Sequence, residues 1–464
     1  MALVESFSGI RGIYGSDLTE STAIKYAHSF LNLVREKTKK KVPSIVLGMD
    51  TRPSGIKLSD AIISTIDCNF VDVGMLPTPA IEFAVRHFEA DGGIIITASH
   101  NEPFWNGFKF LNPDGSVLSE KDMQLVINGS GSLKNFHKIQ ERKITEKNSE
   151  AAVKYQEFIF EIIGVENIEK IRNSGQKIVI DPNGGAGILA KKILEQAGVE
   201  VAGVSMGYGE FRRAVEPTAD SLGYLKRVID ENNADFAAGF DCDADRVEIL
   251  MKNGNVLSGN HILALVVGEV LAHAKNPKSQ LVVVNDATSN VVRDAAEKFG
   301  AKIKEVEVGE TNVVQEMKKL KSIVGGEGSS GGAIIAPSKC RDGILTLLAV
   351  LSIAANKNKK LSEIVGTLPE YYTMRRKMEF DAKNHDKIKK YLKKHYAKKR
   401  FEIKETGGIK GGLKIIIGKN SFVWFRVSKT ESNVFRIISD SDKKEEAERL
   451  IEESARVFEK ANGR

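Results

Sequence analysis

Three carboxylates stand at alternate positions of one short segment, Asp241–Arg246 (DCDADR), directly after the apolar stretch Phe236–Phe240. Carboxylates at this spacing repel one another strongly unless a cation lies among them. Their hard oxygen atoms favour Mg²⁺ or Ca²⁺ over softer metals. An EF-hand loop is excluded, because Arg246 occupies its turn-glycine position and Lys252 its twelfth position. Three protein oxygens, from Asp241, Asp243 and Asp245, leave room for a phosphate oxygen, as is usual for Mg²⁺.

A serine and a histidine adjoin in the segment Thr97–Asn101 (TASHN), and Lys109 follows ten residues after Ser99. A serine beside a histidine at the end of a strand is a candidate nucleophile. A Ser-His-Asp hydrolase is disfavoured, because the adjacent His100 is poorly placed and the G-x-S-x-G pattern is absent. Phosphoryl transfer, with a metal that neutralises the phosphate, is the other chemistry open to Ser99.

Two further segments suit the binding of hydroxyl groups and of phosphate. The glycines of Gly325–Gly332 (GGEGSSGG) let the backbone approach a ligand closely, and Glu327 and Ser329 can bond vicinal hydroxyls. Arg426–Arg436 (RVSKTESNVFR) groups two arginines, a lysine and hydroxyls around one turn, which suits a phosphate dianion. Nucleotide cofactors are not indicated, because no Walker A sequence and no G-x-G-x-x-G after a strand is found.

The elements that position these segments are predicted to be repeated α/β units. Three short β-branched runs end in an acid, as expected for buried parallel strands: Ser44–Asp50, Lys177–Asp181 and Leu281–Asp286. Helical patterns follow two of them, at Ala190–Gln196 and Ser289–Lys298. Later apolar strands run straight into the polar segments described above: Gly93–Ile96, Phe236–Phe240 and Ile323–Val324. Since ligands bind at the carboxyl ends of strands in open α/β sheets, we expect one composite site between domains.

The last hundred residues differ from the rest of the chain. Tyr371–Glu379 and Phe422–Ile438 are predicted to form antiparallel strands, and Asp442 with Glu445 indicates the start of a helix. We therefore expect three similar α/β mixed-sheet domains followed by a C-terminal α+β domain. The predicted domains are 1–152, 153–254, 255–368 and 369–464.

Composition limits the class of protein. The 464 residues carry a formal charge of +7, with 68 Lys and Arg against 61 Asp and Glu, so no nucleic-acid partner is expected. The basic stretch Lys387–Arg400 is predicted to be an amphipathic helix. The longest apolar run, Ile344–Ala355, is too short to span a bilayer, and no secretory signal is visible at Met1–Gly12. Together with only three cysteines, these features indicate a cytoplasmic protein without a membrane partner.

The four polar segments, in this order along the chain, resemble those of the α-D-phosphohexomutase family. TASHN matches the family's phosphoserine loop, DCDADR its metal loop, GGEGSSGG its sugar-binding loop and RVSKTES its phosphate-binding loop. Further matches lie throughout the chain, at Ser8–Gly12, Gly48–Ser54, Pro77–Pro79 and Arg341–Gly343. The resemblance covers the whole chain and implies four domains around a deep central cleft.

The resemblance also implies roles for single residues. Ser99 would carry an exchangeable phosphate, and Mg²⁺ would be held by that phosphate and by Asp241, Asp243 and Asp245. Arg11, His100 and Lys109 would belong to the catalytic centre, with Lys109 a candidate acid/base and Arg246 beside the metal. Glu327 and Ser329 would bind sugar hydroxyls. The phosphate that is not transferred would be held by Arg426, Ser428, Thr430 and Arg436.

The sequence departs from the family pattern at several positions. Glu102 replaces a proline after TASHN, Cys242 replaces a glycine in the metal loop, and the sugar loop ends in Gly-Gly where many mutases have a histidine. The phosphate loop has Lys429 for glycine, Ser432 for proline and one extra residue before Arg436. None of these changes removes a group that the chemistry needs.

The sequence therefore predicts a Mg²⁺-dependent phosphohexomutase that interconverts sugar 6-phosphates and 1-phosphates, with a sugar 1,6-bisphosphate as activator. The Gly-Gly ending of the sugar loop favours glucosamine phosphate, with mannose or glucose phosphate as the alternative. Two other functions use the same residues, a phosphosugar phosphatase and a non-catalytic phosphosugar-binding protein. The oligomeric state stays open.

Overall fold

The computed structural model describes residues 3–131, 143–328, 331–408, 410–428 and 433–463. It contains three α/β sheets of mixed or parallel strands and a C-terminal antiparallel sheet with helices, which confirms the predicted fold class. The chain divides into two compact units. One unit comprises Met1–Leu257 with Gly332–Leu361, and the other comprises Ser258–Gly331 with Ser362–Arg464.

The first sheet has seven strands in the order β1-β2-β6-β5-β3-β4-β7. Its elements are β1 (Val4–Ser6), β2 (Gly9–Ile13), α1 (Glu20–Thr38), β3 (Ser44–Met49), α2 (Gly55–Thr65), β4 (Asn69–Met75), α3 (Thr78–His87), β5 (Gly92–Ile96), β6 (Trp105–Leu111), α4 (Glu120–Ser130), β7 (Lys143–Glu146) and α5 (Asn148–Ile163). Strand β3 is parallel to β4 and β5, whereas β6 runs antiparallel to β5 and β2. The hairpin of β5 and β6 therefore places its connecting loop at the carboxyl end of β5.

The second sheet repeats this arrangement with five strands in the order β12-β11-β10-β8-β9. Its elements are α6 (Val165–Asn173), β8 (Lys177–Asp181), α7 (Leu189–Gln196), β9 (Glu200–Gly203), α8 (Ala219–Leu222), α9 (Leu225–Glu231), β10 (Phe236–Phe240), β11 (Val247–Met251) and β12 (Val256–Leu257). Strand β8 is parallel to β9 and β10, and β10 is antiparallel to β11. The hairpin of β10 and β11 corresponds to that of β5 and β6 in the first sheet.

The next stretch contributes to both compact units. Its elements are α10 (Gly259–Ala272), β13 (Leu281–Asn285), α11 (Asn290–Glu297), β14 (Lys302–Val306), α12 (Glu310–Leu320), β15 (Val324–Gly326), β16 (Ala333–Ile335), α13 (Gly343–Lys357) and α14 (Leu361–Val365). Strand β13 is parallel to β14 and β15. Helix α13 covers the long apolar run Ile344–Ala355. The Asp342 side chain caps the first turn of this helix by accepting the N–H of Leu345.

The C-terminal sheet has five antiparallel strands in the order β17-β21-β20-β19-β18. Its elements are β17 (Tyr372–Glu379), α15 (His385–Lys398), β18 (Glu402–Glu405), β19 (Leu413–Gly418), β20 (Ser421–Val427), β21 (Val434–Ser441) and α16 (Lys444–Asn462). Phe425, Ile437, Leu392 and Phe458 are buried in one cluster, so α15 and α16 cover one face of the sheet. The other face carries Arg426.

Two sequence predictions about helices can be compared directly with the structure. Helix α15 spans most of the basic stretch and buries Ile388, Leu392 and Tyr396, as the amphipathic pattern predicts. Helix α16 begins later than the acidic pattern suggests, at Lys444, because the Asp442 carboxylate accepts the Asn420 amide at 2.7 Å instead of capping the helix. Among the residues that the structure describes, no helix has both the length and the apolar character needed to cross a membrane.

Candidate active site

Ser99 lies in the loop between β5 and β6 with an unusual backbone conformation. Its φ of 53° falls in the left-handed region, which few residues other than glycine adopt. The Ser99 N–H donates to the Thr97 hydroxyl at 2.8 Å, and the Ser99 carbonyl accepts from Arg52 Nη2 at 2.9 Å. These two bonds hold the backbone on both sides of the serine hydroxyl.

Arg52 is buried completely and organises the whole loop. Its guanidinium pairs with Asp50 and also donates to the carbonyl of Asn101. The Thr97 hydroxyl donates to Asp50 Oδ2 at 2.6 Å, so the serine loop and the ion pair share one network. Because a buried ion pair is stable only when its hydrogen bonds are satisfied, this network fixes the position of Ser99.

The three carboxylates of the loop between β10 and β11 form a buried cluster. Each of Asp241, Asp243 and Asp245 offers an oxygen that lies within 4.8 Å of the other two. Asp243 Oδ1 and Asp245 Oδ1 are buried and accept no hydrogen bond from any residue that the structure describes. Asp245 Oδ1 also lies 3.7 Å from Arg246 Nε. Buried carboxylate oxygens that accept no hydrogen bond are costly unless a cation lies close to them. The donor set therefore fits a metal ion with hard oxygen ligands.

The serine hydroxyl adjoins this cluster, since Ser99 Oγ lies 3.5 Å from Asp241 Oδ2. Burial, together with Asp245 and Asp243, raises the pKa of Asp241 well above its usual value. A divalent cation among the three carboxylates would remove this penalty. The structure thus brings Ser99 close to the three carboxylates.

Several cations balance the charge of the carboxylates. Lys109 Nζ lies 2.9 Å from Asp243 Oδ2 and 3.4 Å from Asp245 Oδ2, and Arg341 Nη2 lies 3.0 Å from Asp245 Oδ2. Burial alone would raise the pKa of Asp245, but Arg341, Lys109 and Arg246 hold it well below its usual value. Asp245 is therefore ionised at neutral pH.

Thr78, the first residue of α3, holds Asp243 by two bonds. Its hydroxyl donates to Asp243 Oδ2 at 2.7 Å, and its backbone N–H donates to the Asp243 carbonyl at 2.9 Å. Because Thr78 and Lys109 both bind Oδ2, the remaining oxygen, Oδ1, is the atom left to ligate a metal. Buried partners of this kind orient the ligands of metal sites.

Arg11 and His100 complete the surroundings of Ser99. Arg11 Nη1 donates to Asn101 Oδ1 at 2.8 Å, and burial with nearby Arg246 lowers the Arg11 pKa to about 10. His100 Nδ1 lies 3.5 Å from Ser99 Oγ. Arg246, burial and Arg11 lower the pKa of His100 far below its usual value, so the imidazole is neutral at neutral pH.

Two of the departures from the family pattern have visible consequences. Glu102 is exposed, and its Oε1 lies 3.4 Å from the N–H of Val215 in the second domain. Cys242 is buried within the loop Asp241–Arg246, with its sulfur 3.8 Å from the Thr51 hydroxyl. Neither residue displaces Ser99 or the carboxylates.

The other compact unit contains the predicted sugar-binding residue Glu327. Its Oε1 accepts the Asn285 amide at 3.0 Å and the Gly309 N–H at 2.7 Å. These bonds fix the carboxylate at the carboxyl ends of β13 and β15. Ser329 lies outside the described residues.

The predicted phosphate-binding residues Arg426 and Arg436 face each other across β20 and β21. Arg426 is buried, and its Nη2 lies 2.9 Å from Glu307 Oε1. Ser428 directly follows β20, and its N–H donates to the Val434 carbonyl at 2.7 Å. Thr430 lies outside the described residues.

Four residues of these sites had no predicted role: Arg52, Thr78, Arg341 and Glu307. Three of them lie in segments whose resemblance to the family is visible in the sequence, namely Gly48–Ser54, Pro77–Pro79 and Arg341–Gly343. Glu307 has no such signal, because its pairing with Arg426 joins residues 119 positions apart.

Comparisons with known proteins agree with this description. Models of phosphoglucomutase/phosphomannomutase α/β/α domains I, II and III match residues 5–133, 154–254 and 258–372. A phosphoglucomutase/phosphomannomutase of Thermococcus kodakarensis is 34% identical over 98% of both chains. A phosphoglucosamine/phosphogalactosamine mutase of Sulfurisphaera tokodaii is 27% identical over 97% of this chain and 98% of its own.

Among solved structures, N-acetylphosphoglucosamine mutase of Aspergillus fumigatus, in complex with GlcNAc-6P and magnesium, shares the fold. Its TM-score is 0.62 at 13% identity, over 100% of this chain and 96% of that chain. The chain belongs to the α-D-phosphohexomutase family. It is a phosphohexomutase, an isomerase that acts as an intramolecular phosphotransferase.

Proposed function

We propose that the enzyme exchanges phosphate between the 1- and 6-positions of a hexose or hexosamine by way of phospho-Ser99. The single observation that carries this mechanism is the position of Ser99 Oγ, 3.5 Å from a carboxylate of the buried Asp cluster. Phosphoryl transfer requires a nucleophile, a metal-binding group and cations around the transferred phosphate. The residues around Ser99 supply each of these.

In the first step, the bond between phosphorus and Ser99 Oγ breaks while phosphorus bonds to a sugar hydroxyl oxygen. The hydroxyl proton passes to the protein, and a bisphosphorylated sugar forms. In the second step, the bond between the sugar's other phosphorus and its sugar oxygen breaks while that phosphorus bonds to Ser99 Oγ. The protein passes a proton to the released sugar oxygen. Lys109 is the candidate acid/base. Its Nζ donates hydrogen bonds to Asp243 Oδ2 and Asp245 Oδ2, so these carboxylates would share the proton that Lys109 exchanges with the sugar.

We assign the buried carboxylates Asp241, Asp243 and Asp245 to Mg²⁺. When bound, the ion would neutralise charge on the transferred phosphate. Support comes from the all-oxygen donor set and from the A. fumigatus mutase, which was solved with magnesium. Arg11, Arg246 and neutral His100 surround the same phosphate in this proposal, and a sugar 1,6-bisphosphate would load Ser99.

The residues of the other unit would hold the sugar during both steps. Glu327 and Ser329 would bind ring hydroxyls, and Arg426, Ser428, Thr430 and Arg436 would bind the phosphate that is not transferred. The fixed position of Glu327 Oε1 and the opposed arginines of β20 and β21 support this assignment. Since both orientations of the sugar place a phosphate there, one clamp serves both halves of the reaction.

Two observations favour different sugars. The Gly-Gly ending of the sugar loop, Gly331–Gly332, favours glucosamine phosphate. The 34% identical relative is named phosphoglucomutase/phosphomannomutase, which favours glucose and mannose phosphates. A coupled assay should supply purified enzyme, Mg²⁺, a bisphosphate activator and the 1-phosphates of glucose, mannose and glucosamine in parallel.

The assay has a clear reading. Formation of a 6-phosphate from at least one sugar supports the mutase, and the relative rates identify the preferred sugar. Release of inorganic phosphate without a 6-phosphate would show a phosphatase instead. Binding of the sugars without either product would show a non-catalytic binding protein.

We also propose the domain division 1–152, 153–254, 255–368 and 369–464. The three matched ranges support the first three domains. A cytoplasmic location is supported by the three cysteines, Cys68, Cys242 and Cys340, which are all buried as free thiols.

A further inference from the structure

A row of three basic residues crosses the C-terminal sheet. Arg426 of β20 is the register partner of Arg436 on β21, and Arg436 is the register partner of Lys377 on β17. Directly paired residues of neighbouring antiparallel strands project from the same face of the sheet, with Cβ atoms about 4.5–5.5 Å apart. Arg426, Arg436 and Lys377 therefore form one continuous cationic row.

The three side chains of the row differ in their surroundings. Arg426 is buried, and its Nη2 lies 2.9 Å from Glu307 Oε1. Arg436 and Lys377 are exposed on the two neighbouring strands, β21 and β17. A phosphate dianion that approaches this face of the sheet therefore meets three cationic side chains in one row.

The next row on the same face is different. There Trp424 pairs with Ile438, and Ile438 pairs with Arg375. Trp424 and Ile438 belong to a buried apolar cluster. Of these two rows, the row of Arg426 is the one with a cationic side chain on each of the three strands. The positive charge is thus concentrated at the strand ends that adjoin Ser428.

We propose that Lys377 is a third cationic arm of the phosphate clamp and binds the non-transferred phosphate together with Arg426 and Arg436. This inference rests on the proposed function, in which that clamp holds a phosphate dianion in both reaction directions. Lys377 belongs to none of the segments that resemble the family's loops. Its role follows from its register position on β17.

The experiment compares Lys377→Gln with a matched control, Arg375→Gln. Arg375 lies on the same strand and the same face, is also exposed, and stands one row away beside Ile438. Substrate kinetics are measured in both directions, and inorganic phosphate is used as a competitive inhibitor. Lys377→Arg tests rescue by a second cation, and Arg426→Ala serves as the reference for loss of the clamp.

Lys377→Gln should raise KM in both reaction directions by about three- to tenfold, and it should raise the inhibition constant of phosphate by the same factor. This size lies between the typical effect of losing an exposed ion pair and that of losing a buried one. Its kcat should change little, because the contact acts equally on ground and transition states. Lys377→Arg should restore KM, and Arg375→Gln should match the wild type.

Two results would overturn the inference. One is equal KM values for Lys377→Gln and Arg375→Gln, and the other is a fall in kcat with KM unchanged. If either occurs while Arg426→Ala still raises KM, only the role of Lys377 is wrong. If the wild-type enzyme turns over none of the sugar phosphates, the proposed function fails and the inference fails with it.

Discussion

The Thr97 hydroxyl accepts the backbone N–H of Ser99 at 2.8 Å and so joins the candidate nucleophile to the buried pair of Asp50 and Arg52. Arg52 binds the Ser99 carbonyl on the other side. The left-handed backbone of Ser99 is thus held on both sides by the side chains of Thr97 and Arg52. The position of the hydroxyl depends on this support, and the dependence can be measured.

Replacing Thr97 by valine keeps the shape of the side chain but removes both of its hydrogen bonds. We expect kcat to fall about ten- to a hundredfold, because small misplacements of a reacting group are costly. KM should change little. Thr97→Ser retains the hydroxyl and should retain kcat. Steady-state kinetics of the two variants decide the matter, and a Thr97→Val enzyme as fast as Thr97→Ser would contradict this role.

Replacing Thr78 by valine should weaken metal binding. After the change, Asp243 Oδ2 still accepts a hydrogen bond from Lys109 but no longer accepts one from the Thr78 hydroxyl. The carboxylate is therefore held less firmly. Loss of such a partner lowers metal affinity by about ten- to a hundredfold. Calorimetric titration with Mg²⁺ measures it directly, independently of turnover, and Thr78→Ser is the control. Equal affinities for both variants would show that Thr78 does not orient the ligand.

Replacing Arg426 by alanine should raise KM in both reaction directions by about ten- to a hundredfold, the value of a charge-assisted phosphate contact. The fall in kcat should be smaller, since the bonds of the held phosphate do not change during the reaction. Forward and reverse kinetics test this expectation. An effect confined to one direction would mean that the C-terminal domain does not provide a shared clamp.

The stability of the chain should depend on pH through Asp342. Burial raises the pKa of this carboxyl to about 6, although Leu345 and Tyr155 donate hydrogen bonds to it. The folded state therefore binds a proton between about pH 4 and pH 6 that the unfolded state has released, so this group's contribution to stability falls as pH rises through that range.

Asp342→Asn removes this titration. The variant should gain stability relative to the wild type between pH 4 and pH 7, by at most about 3 kcal/mol for a shift of this size. Urea unfolding midpoints of both proteins at the two pH values provide the comparison. A difference between the proteins that does not vary with pH would show that Asp342 titrates normally.

Local patterns were sufficient to predict most of the fold. The predicted β-branched runs Ser44–Asp50, Lys177–Asp181 and Leu281–Asp286 contain strands β3, β8 and β13, although β3 and β13 each end one residue before the predicted acid. The alternation of apolar residues and the length of apolar runs involve residues that are close in the sequence. These patterns can therefore be recognised in one sequence without knowledge of the fold. The start of α16 was placed too early, because the side chain of Asp442 binds Asn420 in the turn between β19 and β20.

The site was predictable where the chemistry is carried by adjacent residues, as in Asp241–Arg246 and Thr97–Asn101. The supporting residues were not predictable in the same way. Thr78 acts on Asp243 over 165 positions, and Glu307 acts on Arg426 over 119 positions. Such contacts depend on how distant segments pack. Thr78 lies in the segment Pro77–Pro79 that resembles the family, but the segment does not reveal which residue Thr78 binds, and Glu307 lies in no such segment.

The central claim is that Ser99 carries the exchanged phosphate, and the most direct measurement is mass spectrometry of the enzyme after incubation with Mg²⁺ and a sugar 1,6-bisphosphate. We predict one added phosphate, located on the Ser99 peptide and lost when the sugar monophosphate is then added. Ser99→Ala should gain no phosphate and show no turnover, while keeping the unfolding midpoint of the wild type. Phosphate found on another residue, or sustained turnover by Ser99→Ala, would contradict the phosphoserine mechanism.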